Sequence, residues 1–275
     1  MPASVTERTY RMYLDFLETA EKKRRWSIFD DIPWERLTTL KAADKTQQCI
    51  EIFCSEELYV PDYSAQGLEM LRAKFGMAWF QTCWAFEEAR HGLVFREYLV
   101  RSGRWSDADL ALLEADVAAH PWRLPYQTPR RMACYGALQE GATYVAYRAQ
   151  KDLAQCAGDS VLEAIFRLVA RDEAAHGGFY RAMIELELSL DRAGTLADLA
   201  HVLATFRMPG DGLIRDYRRR LQTSGAGLGP RAFIERVVVP LLTTLGISRQ
   251  ELRQAAQTSP ASPPVQDGSA PSDKP

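Results

Sequence analysis

The sequence predicts an all-α protein, and three observations support this. Most of the chain is rich in Ala, Leu, Glu, Arg and Gln, and its apolar residues recur three or four positions apart, as in amphipathic helices. Alternating apolar and polar residues, which indicate strands, are scarce. Gly and Pro clusters divide the periodic segments from one another. The expected helices lie at 5–25, 41–58, 66–102, 106–118, 129–157, 160–190, 195–207, 211–223 and 230–245.

The boundaries between these helices carry local signals. A Ser-Gly pair ends the third helix, proline residues bracket the loop before the fifth, and Gly-Asp opens the sixth. Met-Pro-Gly and a glycine-rich stretch separate the last three helices. These signals lie at 102–103, 121–129, 158–159, 208–210 and 225–230.

Composition limits the class of protein. Of the 275 residues, 34 are Lys or Arg and 36 are Asp or Glu, for a formal charge of −2. This near balance argues against a general nucleic-acid binder, which presents a basic face. We expect a single domain over residues 1–256. Residues 257–275 are mostly Pro, Ser, Asp and Ala, with too little apolar surface to offset the cost of ordering, so we expect a disordered tail there.

The sequence also predicts a cytoplasmic location. It contains no run of about 18 apolar residues that could span a bilayer. Its first twenty residues lack the apolar core and cleavage site of a secretory signal. The five cysteines form no Cys-x-x-Cys pair, which fits buried thiols in a reducing compartment.

Two of the predicted helices carry the same polar pair inside an apolar stripe. The stripe on 66–102 includes Glu88 and His91, and the stripe on 160–190 includes Glu173 and His176. A buried, ionised carboxylate is costly unless it is paired or binds metal. The pattern therefore predicts a cation between the two helices.

Two neighbouring helices each add one inward glutamate, Glu56 and Glu140. Four glutamates and two histidines from four helices are the ligand set of a ferritin-like bundle that binds two metal ions. Four carboxylates also balance two divalent cations. We therefore predict a ferritin-like four-helix bundle with additional flanking helices that holds two divalent metal ions. Carboxylate and imidazole ligands suit both iron and manganese.

The remaining histidines are assigned other roles. Asp198 and His201 also form an acid-x-x-His pair, but no second pair of this kind is left to complete a site with them. We therefore expect a structural or surface role for His201. His120 lies beside Pro121 in a predicted loop, and we expect the same role for it.

Four short segments around the predicted ligands resemble motifs of the soluble acyl-acyl-carrier-protein desaturases, a ferritin-like family with plant stearoyl and bacterial members. EEARHG at 87–92 resembles EENRHG, and DEAAH at 172–176 resembles DEKRH. QEGAT at 139–143 resembles QERAT, and SEELYVP at 55–61 resembles TEEALP with one residue inserted before the proline. The resemblance extends from about Trp26 to Pro209.

The resemblance implies that the site holds two iron ions, and it implies which residues bind them. Carried over by position, the ligands are Glu56, Glu88, His91, Glu140, Glu173 and His176. The inserted residue leaves Glu57 as the alternative to Glu56, and we choose Glu56 because it matches the first glutamate of the motif.

The resemblance also implies roles for three further residues. Thr143 would deliver protons or steer oxygen at the metal site, and Trp26 would begin an electron route that Asp172 and His91 complete. From the residues alone, Thr143 is equally a helix threonine bonded to a backbone carbonyl. Trp26 is equally a core aromatic.

The activity that the resemblance implies is an oxygen-dependent desaturation. A cis double bond would be left in an acyl chain carried on acyl carrier protein, with electrons from a ferredoxin-type donor and a homodimer as the assembly. The alternatives are a hydroxylase or N-oxygenase on the same scaffold, an iron-binding ferritin relative, and a metal-free interaction protein.

The sequence gives weaker indications of the surfaces that would bind the substrate and its carrier. An acidic carrier needs a basic surface, and basic clusters lie at 22–25, 130–131 and 215–220, although ordinary solvated faces look the same. Apolar residues of the ligand helices are candidates for an acyl channel, with core packing as the alternative. The candidates are Met77, Phe80, Trp84, Phe95, Tyr144, Tyr147 and Phe179.

Overall fold

The computed structural model describes residues 4–37 and 44–258, and all regular elements in this part of the chain are helical. The prediction of an all-α protein is therefore confirmed. The α-helices are α1 (Val5–Thr19), α2 (Asp44–Glu57), α3 (Val60–Leu71), α4 (Phe75–Arg101), α5 (Asp107–Ala119), α6 (Pro129–Ala157), α7 (Ser160–Leu190), α8 (Arg192–Thr205), α9 (Tyr217–Ser224), α10 (Pro230–Phe233), α11 (Val239–Thr244) and α12 (Arg249–Thr258). Shorter turns of other helix types lie at Ala20–Arg24, Trp34–Arg36 and Ile234–Val238.

The predicted helix at 66–102 is two helices, which corrects that prediction. Helix α3 already begins at Val60, where Pro61 occupies the first turn that proline tolerates. The chain breaks at 72–74 and then continues as α4. The predicted helix at 211–223 begins only at Tyr217, and α12 was not predicted.

The two longest helices, α6 and α7, form a hairpin that carries three of the predicted ligands. Helix α6 begins with Thr128 as its cap and Pro129 in its first turn. It ends at Gly158, whose φ of 75° lies in the left-handed region that glycine adopts without strain. Asp159 then caps α7, since its side chain accepts from the backbone N–H of Leu162. This two-residue link lets α6 and α7 pack along their length.

Two apolar layers lie on either side of the predicted ligands along the bundle. One layer includes Phe80 of α4 and Phe179 of α7, and the other includes Phe95 of α4 and Phe166 of α7. Glu88 and Glu173 lie between these layers on the same two helices. Any charge at this level is therefore shielded from water on both sides.

The C-terminal helices close one end of the bundle. Helix α8 packs on α6 and α7, and α12 packs on α8. The predicted tail at 257–275 overlaps α12 at its first two residues, and the rest of it lies outside the described residues. Among the helices of the described chain, none is long and apolar enough to cross a membrane.

Candidate metal centre

Helices α4, α6 and α7 bring five predicted ligands together in the interior. Each of these residues is at most 3% exposed. The residues are Glu88, His91, Glu140, Glu173 and His176. Because the pairs on α4 and α7 are three positions apart, each pair lies on one face of its helix and points at the other.

Their ligand atoms form two adjoining groups. Glu57, Glu88, His91 and Glu173 offer atoms that all lie within 4.8 Å of one another, and so do Glu88, Glu140, Glu173 and His176. Glu88 and Glu173 belong to both groups. The two groups are therefore two neighbouring candidate cation positions that share two carboxylates. One glutamate from each of two helices and Glu-x-x-His from each of two others is the arrangement of two-metal carboxylate bundles.

The chemistry of these atoms fits a pair of bound cations. Several buried polar atoms of these residues have no hydrogen-bond partner. They are both carboxylate oxygens of Glu173, one oxygen each of Glu88 and Glu140, and Nδ1 of His176. Buried polar atoms in folded proteins almost always have a partner, and a buried carboxylate without compensation is strongly unfavourable. These orphaned atoms converge on one centre, so the structure supports a metal site there.

In the cluster of the described residues, helix α2 contributes Glu57 and not the predicted Glu56. Glu56 instead accepts a hydrogen bond from the Tyr217 hydroxyl at 2.7 Å. Glu57 accepts one from the Tyr147 hydroxyl at 2.8 Å. Adjacent helical residues point about 100° apart, so only one of the two can face the centre. A Cβ added at Gly92 of α4 would lie 2.9 Å from Cβ of Glu57, so the missing side chain lets Glu57 approach α4.

Each histidine presents Nδ1 to the centre and Nε2 to an outer carboxylate. Nδ1 of His91 lies 3.1 Å from Glu88 and 3.2 Å from Glu173, and Nδ1 of His176 lies 2.9 Å from Glu88. An outer carboxylate that holds the second ring nitrogen orients a histidine ligand and fixes its tautomer.

Each outer carboxylate contacts the histidine of the opposite helix. Asp172 of α7 holds Nε2 of His91 at 3.3 Å, and Glu87 of α4 holds Nε2 of His176 at 2.7 Å. In each motif the acid that precedes the ligand glutamate thus holds the histidine of the other motif. The orientation of each histidine therefore depends on the packing of α4 against α7.

Arg24 joins the two outer carboxylates. Its Nη1 lies 2.9 Å from Glu87 and 2.8 Å from Asp172, and its side chain is 5% exposed. Arg90 also reaches Asp172, at 3.0 Å. Arg25 contacts Glu87 as well, at 3.2 Å, so three guanidinium groups balance the two outer acids.

Sequence reasoning missed this role of Arg24 and placed it in a basic cluster that was either a candidate docking surface or an ordinary solvated face. Nothing in the run Lys22-Lys23-Arg24-Arg25 distinguishes one cation from the next. The distinction comes from the π-helical turn Ala20–Arg24 at the end of α1, which directs Arg24 inward. Single π-turns of this kind are frequent at functional sites.

Trp26 and Asp172 form the first links of the predicted route to the centre. The Trp26 indole donates to Asp172 at 2.7 Å, and the same carboxylate oxygen lies 3.3 Å from His91. Trp26 is 6% exposed and lies beneath the Arg90 guanidinium, 4.5 Å from its ring. The tryptophan is therefore buried, as the alternative of a core aromatic requires.

Thr143 makes the local hydrogen bond to a backbone carbonyl that the residues alone also allow. Its hydroxyl donates to the backbone carbonyl of Gln139 at 3.1 Å. The side chain is buried, and it lines a cavity together with Glu57 and Glu88. This position leaves its predicted role in proton delivery as a proposal.

The remaining histidines lie away from the centre. His201 packs its ring near Tyr126, with 5.8 Å between centroids, and Asp198 is paired with Arg130 and Arg131. His120 is exposed next to Asp116. Neither belongs to the ligand groups of the described residues.

The protonation of the inner residues depends on burial and on their mutual charges. Burial and the neighbouring Glu88 charge raise the pKa of Glu57 and of Glu173 well above the usual range. Burial would lower the pKa of both histidines, but the carboxylates around them raise it well above its usual value. Without metal, the cluster therefore retains protons at neutral pH.

A narrow cavity of about 80 Å³, partly open to solvent, adjoins the cluster. Glu57 and Glu88 lie in its wall, and its far end is formed by apolar residues of α3, of the loop before α6, and of α6 and α7. These residues are Met70, Leu71, Trp122, Leu124, Met132 and Met183.

Two residues of the predicted channel, Trp84 and Tyr147, line this cavity. Phe80 and Phe179 instead stack on each other in the core, with ring centroids 3.8 Å apart. Phe95 packs against Phe53 in the other apolar layer. The contribution of α3 was missed because its residues were assigned to the start of one long helix.

Comparison with known proteins identifies relatives of this chain. The family model for fatty acid desaturases matches residues 60–223. A Mycobacterium tuberculosis protein named as the acyl-[acyl-carrier-protein] desaturase DesA1 is 25% identical over 249 residues, which cover 82% of this chain and 72% of the relative. The chloroplastic stearoyl-[acyl-carrier-protein] 9-desaturase 6 of Arabidopsis thaliana is 32% identical over 126 residues, which cover 44% of this chain and 31% of that enzyme.

Solved structures share the fold. The acyl-ACP desaturase DesA2 from Mycobacterium tuberculosis superposes with a TM-score of 0.67 at 20% identity, covering 91% of this chain and 98% of that one. An R2-like ligand-binding oxidase from Sulfolobus acidocaldarius superposes with a TM-score of 0.57 at 15% identity, covering 90% and 92%. These likenesses confirm the predicted ferritin-like helical bundle.

We predict that Glu57→Ala halves the metal content, from about two ions per chain to about one. Glu56→Ala is the matched control, because it removes the adjacent carboxylate of the same helix and should leave the content unchanged. Metal per chain is measured by atomic emission after anaerobic loading with Fe²⁺, and folding is checked by circular dichroism. The reverse result, with loss only in Glu56→Ala, would restore Glu56 as the ligand.

We predict that Arg24→Met lowers the free energy of unfolding of the metal-free protein by roughly 3–5 kcal/mol, because it leaves two buried carboxylates without their shared cation. Urea denaturation followed by circular dichroism measures the change. Lys22→Met is the control, since Lys22 pairs with Glu18 on the exposed face of the same segment and should leave stability unchanged. Equal stability of the two variants would contradict the role of Arg24.

We predict that the affinity for divalent metal rises with pH. The raised pKa values of Glu57 and Glu173 mean that protons occupy the site at neutral pH, and metal must displace them. Calorimetric titration with Co²⁺ in buffers of different ionisation enthalpy counts the protons released. An affinity that stays constant between about pH 5.5 and 7.5 would show that the inner carboxylates are already ionised.

Proposed function

The chain belongs to the fatty acid desaturase family, and from this premise we propose that it introduces a cis double bond into an acyl chain carried on acyl carrier protein. The reaction uses oxygen, two iron ions and electrons from a ferredoxin-type donor. The observation that carries the proposal is the contact between cavity and cluster, because Glu57 and Glu88 belong to both. A methylene group held in that cavity lies directly beside the residues proposed to hold iron.

We assign the iron ligands to the residues of the two groups. Glu57, Glu88, His91 and Glu173 hold one ion, and Glu140 and His176 join the two shared glutamates around the other. When bound, the iron pair supplies the activation of oxygen that the removal of hydrogen from unactivated methylenes requires. The four glutamates neutralise the charge of two divalent ions.

The surrounding residues of the chain orient these ligands and keep water away. The Trp84 indole donates to Glu140 at 2.9 Å, which holds that carboxylate in one orientation. Asp172 and Glu87 hold the two histidines from outside. The apolar layers above and below exclude water, so the polar groups of the site act in a medium of low dielectric.

Two of the proposed catalytic roles concern electrons and protons. Trp26 and Asp172 connect the N-terminal segment to His91 by hydrogen bonds, which suits the delivery of electrons to this side of the cluster. Thr143 lies in the cavity wall near Glu57, and we propose that its hydroxyl moves protons there once it leaves the carbonyl of Gln139.

We propose that the carrier docks beside the arginines of α9 and the loop before it. A second cavity of about 500 Å³, partly open to solvent, lies between α6 and α9, and Arg207 and Arg218 are in its wall. It meets the first cavity at Glu56, Thr143 and Met208. The carrier's flexible arm could thus reach the cluster from this side.

The other basic clusters are less suited to the carrier. Arg24 is buried, and Arg130 and Arg131 are both paired with Asp198. Arg218 is paired with Asp211, but its side chain is 71% exposed and remains accessible to an acidic partner. We place the enzyme in the cytoplasm, since the five cysteines are unpaired and such thiols suit a reducing compartment.

We predict that the iron-loaded protein, supplied with a ferredoxin reducing system and oxygen, removes two mass units from acyl chains on acyl carrier protein. The released chains are analysed by mass spectrometry over a panel of chain lengths. His176→Ala should abolish the product, whereas His120→Ala, which alters an exposed histidine, should retain it. A gain of sixteen mass units would identify a hydroxylase, and an absence of any product over the whole panel would contradict an acyl substrate.

A further inference from the structure

Two polar side chains line the first cavity beyond the metal cluster. Gln81 of α4 is 7% exposed, Tyr180 of α7 is partly buried, and both lie in the cavity wall. Within residues 4–37 and 44–258, neither the Gln81 amide nor the Tyr180 hydroxyl has a hydrogen-bond partner. Buried polar groups in folded proteins almost always have a partner, so the two groups indicate a ligand that supplies one.

Gln81 and Tyr180 lie at one level of the bundle. Gln81 precedes the ligand Glu88 by seven residues, and Tyr180 follows the ligand Glu173 by seven. Because α4 and α7 run antiparallel, both residues lie towards the same end of the bundle. Phe80, beside Gln81, packs edge-on against the Tyr180 ring with 5.2 Å between centroids. Seven residues are about two helical turns, so both side chains share the face of the ligand glutamates, about 10 Å further along the helix axes.

A glycine on a facing helix leaves room for each of these side chains. A Cβ added at Gly67 of α3 would lie 3.1 Å from Cδ of Gln81. One added at Gly136 of α6 would lie 2.8 Å from the Tyr180 ring. Both glycines also line the cavity. The packing of all four helices thus gives the two polar side chains a defined place in the cavity wall.

An unsubstituted hydrocarbon chain suits this level of the cavity poorly. The residues around it are mostly apolar, among them Leu71 and Met183. A plain chain would, however, cover the Gln81 amide and the Tyr180 hydroxyl without replacing the hydrogen bonds that water makes with them. An amide N–H and a phenolic O–H both donate to a neutral oxygen, and both groups also accept. An oxygen function at this level therefore restores what a hydrocarbon removes.

The charge of the cavity wall indicates that this oxygen function is neutral. Among the described residues that line the cavity, those that carry a charged form are Glu56, Glu57 and Glu88, all at the cluster. A carboxylate at the level of Gln81 and Tyr180 would be buried without a cation in the wall. A hydroxyl or a keto group meets the same two side chains at no such cost.

We propose that the acyl substrate carries a hydroxyl or keto group on the part of the chain beyond the site of desaturation, and that Gln81 and Tyr180 recognise it. This assignment of the substrate class rests on the function proposed above. The second cavity, from which the carrier approaches, meets the first at Glu56 and Thr143, so the distal part of the chain passes the cluster and enters the first cavity. A few polar groups in an otherwise apolar pocket fix the orientation of the ligand. The anchored oxygen thereby determines which methylene groups lie beside the metal ligands.

The test gives the iron-loaded protein, with the ferredoxin reducing system and oxygen, a competing mixture of carrier-bound chains of one length. One chain is unsubstituted, and the others carry a single hydroxyl or keto group at successive positions towards the methyl end. Mass spectrometry of the released chains gives the ratios of kcat/KM for loss of two mass units. We expect one position of the oxygen to raise kcat/KM at least about tenfold over the unsubstituted chain, because a site built for a hydrogen bond rejects the analogue without it.

Two variants remove the hydrogen-bonding groups and keep the size of the side chains. Gln81→Met and Tyr180→Phe should each bring the ratio of kcat/KM close to one, mainly through a higher KM for the oxygenated chain. Thr82→Val is the matched control, because Thr82 is the next residue of α4 and is exposed. It should leave the ratio unchanged. Circular dichroism checks that each variant is folded.

The outcomes separate this substrate class from the reaction itself. Equal kcat/KM for the unsubstituted chain and for every oxygenated chain would overturn the proposed recognition and leave the desaturation intact. A ratio that is unchanged in both folded variants would show that Gln81 and Tyr180 only pack in the wall, and would overturn it as well. No turnover of any chain would contradict the proposed function, and the substrate class with it.

Discussion

The rest of this structure depends on the cost of burying six ionisable side chains at the centre of a helical bundle. Four glutamates and two histidines lie between two apolar layers, where an uncompensated carboxylate is strongly unfavourable. Metal ions can neutralise the inner glutamates, and arginines neutralise the outer acids. Almost every unusual feature of the molecule serves one of these two compensations.

The N-terminal segment provides the outer compensation. The turn Ala20–Arg24 departs from α-helical geometry and directs Arg24 between Glu87 and Asp172. Trp26, two residues further along the chain, donates a hydrogen bond from its indole to Asp172. Through these contacts one short segment ties α4 to α7, so the orientation of both histidines depends on residues far from them in sequence.

The same constraint explains both what was predicted and what was missed. Glu88 and His91 interrupt an apolar stripe on α4, as the matching pair does on α7. Residues three positions apart on a helix lie on the same face, so both side chains of each pair must point the same way. The same periodicity places Glu140 on the inner face of α6. Glu56 and Glu57 are adjacent at the end of α2, and periodicity alone does not decide between two neighbours there.

The sequence by itself determined the all-α class, the two Glu-x-x-His pairs and the charge that the interior must accommodate, because these follow from local periodicity. Only the tertiary structure decided that Glu57 turns inward, since the close approach at Gly92 sets the rotation of α2 against α4. It likewise decided that Arg24 is buried while Lys22 is exposed. Both choices depend on how distant segments pack, and no local pattern records that packing.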